Sequence, residues 1–333
     1  MESLTRRSML KTSTAALAGG LLRASAADAG RVPHTQGRLT ILGAPSNLGL
    51  KPPAPGKEPG VRYMAQVLRE QGLLQRLHAL DGGTVAPAKY AAAIDPSTKI
   101  RNASAIHEYS IQLANRVGSL LDEKRFPLVL GGDCSILLGS SLALRRRGRY
   151  GLLFIDGHSD LLTPDISQSG GAAGMDLALA TGTGPRILTE IESSAPYIRP
   201  ADVVVFGYRF PAPKESSPAV PHPPMTAFSL DRIRAQKIDQ ATANVIGRLE
   251  DSGLGYWIHV DLDVLSPEWM PAVDSPDPGG MTPAELTHLL KRAVTSRKCA
   301  GMELTIYDPA LDPTRRCARL IVDLLGDVFD QPT

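Results

Sequence analysis

Three cysteines, Cys134, Cys299 and Cys317, are all that the 333 residues contain. So small and odd a number excludes a disulfide framework, although Cys299 and Cys317 could pair in an oxidising compartment. Surplus charge is scarce too, at a net +2. Arg6, Arg7, Lys11 and Arg23 against Glu2 leave a surplus of three within residues 1–27, so the remainder carries about −1. That balance supports no nucleic-acid partner. A long apolar run is also missing. The weakly apolar stretch Thr12–Leu22 is too short and too rich in Gly and Ala for stable membrane insertion. Neither an internal repeat nor a Ser/Gly-rich linker interrupts the chain. With 43% hydrophobic and 21% charged residues, it has the composition of a globular protein able to bury a large core.

What is there begins with the N-terminus. Thr5-Arg-Arg-Ser-Met-Leu-Lys11 has the form of a twin-arginine motif, and Ala24-Ser25-Ala26 offers a small-residue cleavage site after the apolar stretch. Residues 1–27 are therefore expected to be an export leader, and 28–333 a single domain acting in the periplasm or outside the cell. Twin-arginine export carries proteins that have already folded in the cytoplasm.

Apolar runs predict strands at Arg38–Gly43, Pro127–Leu130, Tyr150–Ile155, Asp202–Phe206, Gly255–Val260 and Cys299–Ile306. Helical spacing recurs at Val61–Leu77, Ala103–Leu121, Ile136–Arg147, Asp231–Leu249, Thr282–Val294 and Thr314–Leu325, with Asp231 and Thr282 as N-caps. Phe210–Pro224 holds six prolines in fifteen residues and is expected to be an ordered surface loop. Alternating strands and helices, with strands apolar on both faces, predict a three-layer αβα sandwich around a mainly parallel sheet.

Two of those strands end in unusual polar clusters, Asp156-Gly-His-Ser-Asp160 and His259-Val-Asp-Leu-Asp263. Residues two apart on a strand share a face, so Asp156, His158 and Asp160 converge, as do His259, Asp261 and Asp263. So many carboxylates in one volume repel unless a cation holds them. Hard oxygen donors with an imidazole suit Mn²⁺, and the number of carboxylates suggests two metals sharing bridging ligands. Ligands of parallel sheets sit beyond the carboxyl ends of the strands. The loop at Gly131, both clusters and Glu303 all fall at or near such ends.

Gly131-Gly-Asp-Cys-Ser135, Asp156-Gly-His-Ser-Asp160 and Asp261-Leu-Asp263 with Pro271-Ala-Val-Asp-Ser-Pro-Asp-Pro-Gly-Gly280 resemble, in order, the motifs of the arginase/agmatinase family of ureohydrolases. The likeness runs from about Thr40 to about Asp327. It implies an arginase-like αβα domain, two divalent ions, a linear guanidino substrate and hydrolysis to urea. It also implies that Asp156 and Asp261 bridge the metals, that Asp160 completes one site, and that His158 and Asp263 complete the other. A metal-bound water, lowered in pKa, is then the nucleophile, oriented by Asp160. Glu303 matches the acid that grips the guanidinium. Thr163, Ser167 and Ser169, with Asp165 and Gln168, lie in the loop that binds the substrate's α-amino and α-carboxylate groups. Relatives are commonly trimers or hexamers, so a homo-oligomer is expected.

The chain departs from that family three times. Cys134 replaces a histidine ligand; as a thiolate it favours Zn²⁺, Fe²⁺, Co²⁺ or Ni²⁺ over Mn²⁺, and otherwise it is a buried, unligated thiol. Ala173, in Ser169-Gly-Gly-Ala-Ala-Gly174, stands where the family's proton-shuttling histidine belongs. Loss of such an acid costs ~10²–10⁴ in rate, which suits a better leaving group, as in the branch acting on N-hydroxylated arginine. His259 replaces a small hydroxyl residue. It is either a partner of Asp261, a substitute ligand, or a hydrogen-bonded core histidine. The expected protein is thus a metal-dependent hydrolase releasing urea or hydroxyurea, and the rival is a catalytically silent relative that serves as a binding protein.

Overall fold

Eight short, largely apolar segments form a single sheet in the computed structural model, which describes residues 38–209 and 224–330. They are β1 (Leu39–Gly43), β2 (Leu80–Thr84), β3 (Phe126–Leu130), β4 (Gly151–Ile155), β5 (Val203–Phe206), β6 (Thr226–Phe228), β7 (Tyr256–Asp261) and β8 (Cys299–Thr305). Their order is β2-β1-β3-β8-β7-β4-β5-β6, and every neighbouring pair is parallel. Parallel pairing demands crossovers that cover both faces, so both faces must be apolar. In β4, Leu153 and Ile155 enter one apolar cluster, while Leu152 and Phe154 enter the other. Helices Pro283–Val294 and Arg316–Phe329 pack on the first face, and Ala103–Asp122 and Leu137–Arg145 on the second. The expected αβα sandwich is therefore present.

The differences are local. The strands β2 and β6 escape periodicity because both sit at sheet edges: β2 is the half-exposed Leu-Asp-Gly-Gly-Thr, and β6 has three residues. The helix expected over Asp231–Leu249 is two, Leu230–Gln236 and Ile238–Glu250, broken where Lys237 adopts φ 66°. Its cap is Ser229, whose hydroxyl accepts from Arg232 N, and not Asp231. Val61–Leu77 divides into a 3₁₀ turn and two short helices, with Gly72 at φ 82°. Thr282 does cap its helix, and Glu285 closes the capping box. Cys299 and Cys317 are buried and free, so the pairing open to them is not formed. The leader at 1–27, and all but Pro224 of the proline-rich segment, lie outside the described residues. No helix among the described residues is long and apolar enough to cross a membrane.

Candidate metal centre

The central strands β3, β8, β7 and β4 present their carboxyl ends side by side. At three of these ends the chain turns in the same way. Asp133 Oδ1 accepts from Ser135 N (2.9 Å), Asp156 Oδ1 from His158 N (2.6 Å) and Asp261 Oδ1 from Asp263 N (2.7 Å). Each aspartate bonds the backbone two residues ahead and folds the following side chain back over the sheet. The polar clusters thus converge through turns beyond Ile155 and Asp261, and not through the strand alternation their spacing predicts. Gly132 makes the first turn possible, since a Cβ there would lie 1.6 Å from the Ser46 carbonyl oxygen.

His158 is the hub of the outer cluster. Its Nδ1 lies 2.9 Å from Asp263 Oδ2 and 3.6 Å from Asp156 Oδ1, and its Nε2 lies 2.8 Å from Asp277 Oδ2. Gly157 N donates to the other oxygen of Asp263 (3.1 Å). A cavity of about 370 Å³ opens above, lined by Cys134, His158, Asp160, Asp261 and Asp263. Two of its lining residues hold backbone conformations that cost energy, Asp160 at φ 46° and the β-branched Ile306 at φ 75°.

Electrostatics show what this cluster wants. Burial and the Asp156 carboxylate raise the carboxyl of Asp160, while burial, Asp263 and Asp156 raise Asp261. Asp263 also rises, through burial and then Asp156. Burial opposes the charge of Asp156 too, but hydrogen bonding and attraction from His158 prevail and hold it below the usual range. The same partners outweigh burial at His158 and push its imidazole up. Asp156 Oδ2 is buried with no partner among the described residues. An orphaned carboxylate oxygen beside three mutually repelling aspartates fits a divalent cation, which would satisfy all of them. Asp156, His158 and Asp263 present donors within 4.8 Å of one another.

A second cluster lies behind the first, on the sheet face that carries Phe154. His259 of β7 and Glu303 of β8 are register neighbours, both fully buried. His259 Nδ1 lies 2.8 Å from Glu303 Oε1, and Ser140 Oγ donates to Glu303 Oε2 (2.5 Å). The Phe154 ring stacks on the imidazole at 4.8 Å. On the far side of that ring, Nε2 faces Asp176 Oδ2 at 3.7 Å, and neither atom has a hydrogen-bond partner among the described residues. Cys134 Sγ stands between the clusters, donating to Asp261 Oδ2 (3.0 Å) and lying 3.0 Å from Thr305 Oγ1. Burial, followed by Asp261 and Asp176, drives its thiol well up.

Cys134, Asp156, His158, Asp160, Asp261 and Asp263 are therefore together. Glu303 differs from expectation: both its oxygens are engaged behind the cavity wall, and it does not line the cavity. Of the loop hydroxyls, Ser169 lines the cavity, whereas Thr163 and Ser167 do not. Ser167 instead accepts from Gly170 N (3.1 Å), and Asp165 turns outward to Lys99 (2.8 Å). Ala173 lines the cavity with no imidazole to offer. Sequence reasoning missed Asp176 and Asp277. A lone carboxylate inside Met175-Asp-Leu-Ala-Leu-Ala180 was the available signal for the first, and position within Pro271–Gly280 the signal for the second.

Similarity to known proteins agrees with this geometry. The family model described as "Arginase family" matches residues 38–329. The arginase of Staphylococcus aureus (strain COL) is 30% identical over 302 residues, which cover 88% of this chain and 97% of that protein. The native crystal structure of Bacillus caldovelox arginase superposes with a TM-score of 0.80 at 28% identity, covering 89% of this chain and 99% of the other. Bacillus subtilis formimidoylglutamase shares the fold at 20% identity, with a TM-score of 0.67 and coverage of 87% and 85%. This chain belongs to the arginase family and is a ureohydrolase-type hydrolase.

Proposed function

We propose that the protein hydrolyses a C–N bond of a linear guanidino compound, releasing urea, or hydroxyurea when the substrate is N-hydroxylated. The observation that carries this reading is the cavity bordered by Asp160, His158, Asp261 and Asp263, with the unpartnered oxygen of Asp156 beside them. These residues would hold divalent ions, and their oxygen-rich donor set suits Mn²⁺. When bound, such ions lower the pKa of water and stabilise charge developing at the guanidinium carbon.

The chain's own groups do the rest. Asp160, on the cavity wall, orients the attacking water and accepts its proton at a carboxylate oxygen. His158 cannot shuttle protons, because both ring nitrogens are engaged by carboxylates. With Ala173 in place of an imidazole, protonation of a poor leaving amine is slow, and a hydroxylated guanidine reacts more readily. Lys51, Ser169 and Asp274 line the same cavity. They offer a cation, a hydroxyl and a carboxylate to the far end of an amino-acid-like substrate, which favours compounds bearing an α-carboxylate. The catalytically silent reading draws support from Ala173, from Cys134 in place of a histidine ligand, and from a Glu303 that does not line the cavity.

The test is release of urea from arginine and agmatine, and of hydroxyurea from N-hydroxyarginine, by the full chain after chelation and metal restoration. Chelator-sensitive release, greatest with N-hydroxyarginine and least with agmatine, is expected. Absence of release from every guanidino compound at full metal content would sink the hydrolytic reading.

A further inference from the structure

We infer that Cys134, Asp176 and His259 form a cation site of their own, oriented by Glu303 and lying behind the substrate cavity, which takes a borderline-soft divalent ion such as Zn²⁺. This deepens the proposed function by giving the second ion a different ligand set from the one the family resemblance implies. It does not depend on which guanidino compound is cleaved.

Three observations carry it. The donor atoms of the three residues come from the turn after β3, the start of a short helix at Asp176 and the middle of β7, yet all lie within 4.8 Å of one another, and all three residues are buried. Two of those atoms, Asp176 Oδ2 and His259 Nε2, have no partner among the described residues. Their 3.7 Å separation is too long for a hydrogen bond. It is close to the spacing of two donors on one tetrahedral ion, roughly 3.4 Å for bonds of about 2.0–2.2 Å.

The third observation is the setting of His259. Its Nδ1 faces Glu303, whose other oxygen is fixed by Ser140, which leaves Nε2 facing Asp176. A carboxylate that fixes the tautomer and ring orientation of an imidazole is the usual support for a metal-bound histidine. Phe154 stacked on the ring prevents its rotation. The ion-pair contact between Nε2 and Asp176 Oδ2, at 3.7 Å, is too long for a hydrogen bond and leaves both atoms unpartnered among the described residues. One thiolate, one imidazole and one carboxylate suit Zn²⁺ better than Mn²⁺ and leave one position open. Of the three, only Cys134 also lines the cavity among the described residues, so the ion sits behind the wall and next to Asp261.

The test uses the full chain loaded with Co²⁺, which reports thiolate coordination through near-ultraviolet charge transfer, with metal content counted per chain. The wild type is expected to bind two ions and show the thiolate band. Asp176→Asn and His259→Gln should each lose one ion together with the band, whereas Asp263→Ala should lose the other ion and keep the band. Retention of both ions and the band in Asp176→Asn and His259→Gln overturns the proposal. Should those variants not fold, X-ray absorption of the Zn²⁺-loaded wild type decides. One sulfur at about 2.3 Å is expected, and a shell of oxygen and nitrogen alone overturns the site. Release of urea or hydroxyurea measured on the same samples separates the two claims. Loss of both products with an intact band rejects the substrate reading alone, and either product without a band rejects this site alone.

Discussion

The clusters around His158 and around His259 are neighbours, yet their donors are satisfied in opposite ways. His158 has a carboxylate on each ring nitrogen, and Asp263 accepts from both His158 and Gly157. His259 has a hydrogen-bonded carboxylate on one nitrogen only, and across from the other, at 3.7 Å, Asp176 holds an oxygen with no hydrogen-bond partner among the described residues. The outer cluster is made of turn residues beyond the strands, where side chains can settle against one another. The inner one is fixed by the sheet register of β7 and β8 and by the stacked Phe154, so its two orphaned atoms cannot close on each other. Where the backbone leaves freedom, most polar atoms pair and Asp156 Oδ2 is left for an ion; where it does not, two facing atoms are left among the described residues.

The largest expected effect separates chemistry from metal binding. Asp160→Asn should lower kcat by ~10²–10⁴, read as urea release, while the inner cluster keeps its thiolate band. An equal loss of both would mean the two clusters are one unit. Next come the residues that orient the imidazoles. Asp277→Ala should weaken the outer ion, and Glu303→Gln the inner ion, each by about 10–100-fold, read by competitive chelator titration. Crossed effects would break the distinction between the clusters.

Ala173→His sharpens the comparison from the substrate side. It restores an imidazole to the cavity wall and should raise turnover of arginine by up to ~10² with little change for N-hydroxyarginine, so the ratio of the two rates is the readout. The pH dependence of stability follows from the raised carboxyls of Asp160, Asp176, Asp261 and Asp263. Their folded pKa values exceed the unfolded ones, so the folded state holds more protons once pH passes the ordinary carboxylate range near ~4. Chelated protein should therefore lose thermal stability as pH rises above that range, and metal should abolish or reverse the trend. The smallest effect is that of Ser140→Ala, which strands a buried oxygen of Glu303 and should cost about 1–3 kcal/mol in denaturant unfolding.

The outer cluster was legible in the sequence as a group, whereas Cys134, His259 and Glu303 of the inner one were legible only singly, for a physical reason. Asp156, His158, Asp160, Asp261 and Asp263 lie within two short motifs at strand ends, so their proximity in sequence marks them as a group, even though Asx turns and not strand pleating bring them together. His259 could be picked out, but its partner Asp176 comes from a helix start whose position relative to β7 depends on how the whole second layer packs. Glu303 was legible as functional, and its direction was not, because Ser140 reaches it from a different helix. In the fold, central apolar strands announced themselves. The edge strand β2, with two glycines, did not, and no periodicity marks the break at Lys237, where φ is positive.

The most direct test is anomalous diffraction at the manganese and zinc absorption edges from crystals of the metal-loaded full chain. The expected map has one peak within ~2.0–2.6 Å of donors from Asp156, His158 and Asp263, and a second bounded by Cys134, Asp176 and His259. Two peaks both held between Asp156 and Asp261, with none beside Asp176, would contradict the division of this site into an outer and an inner ion.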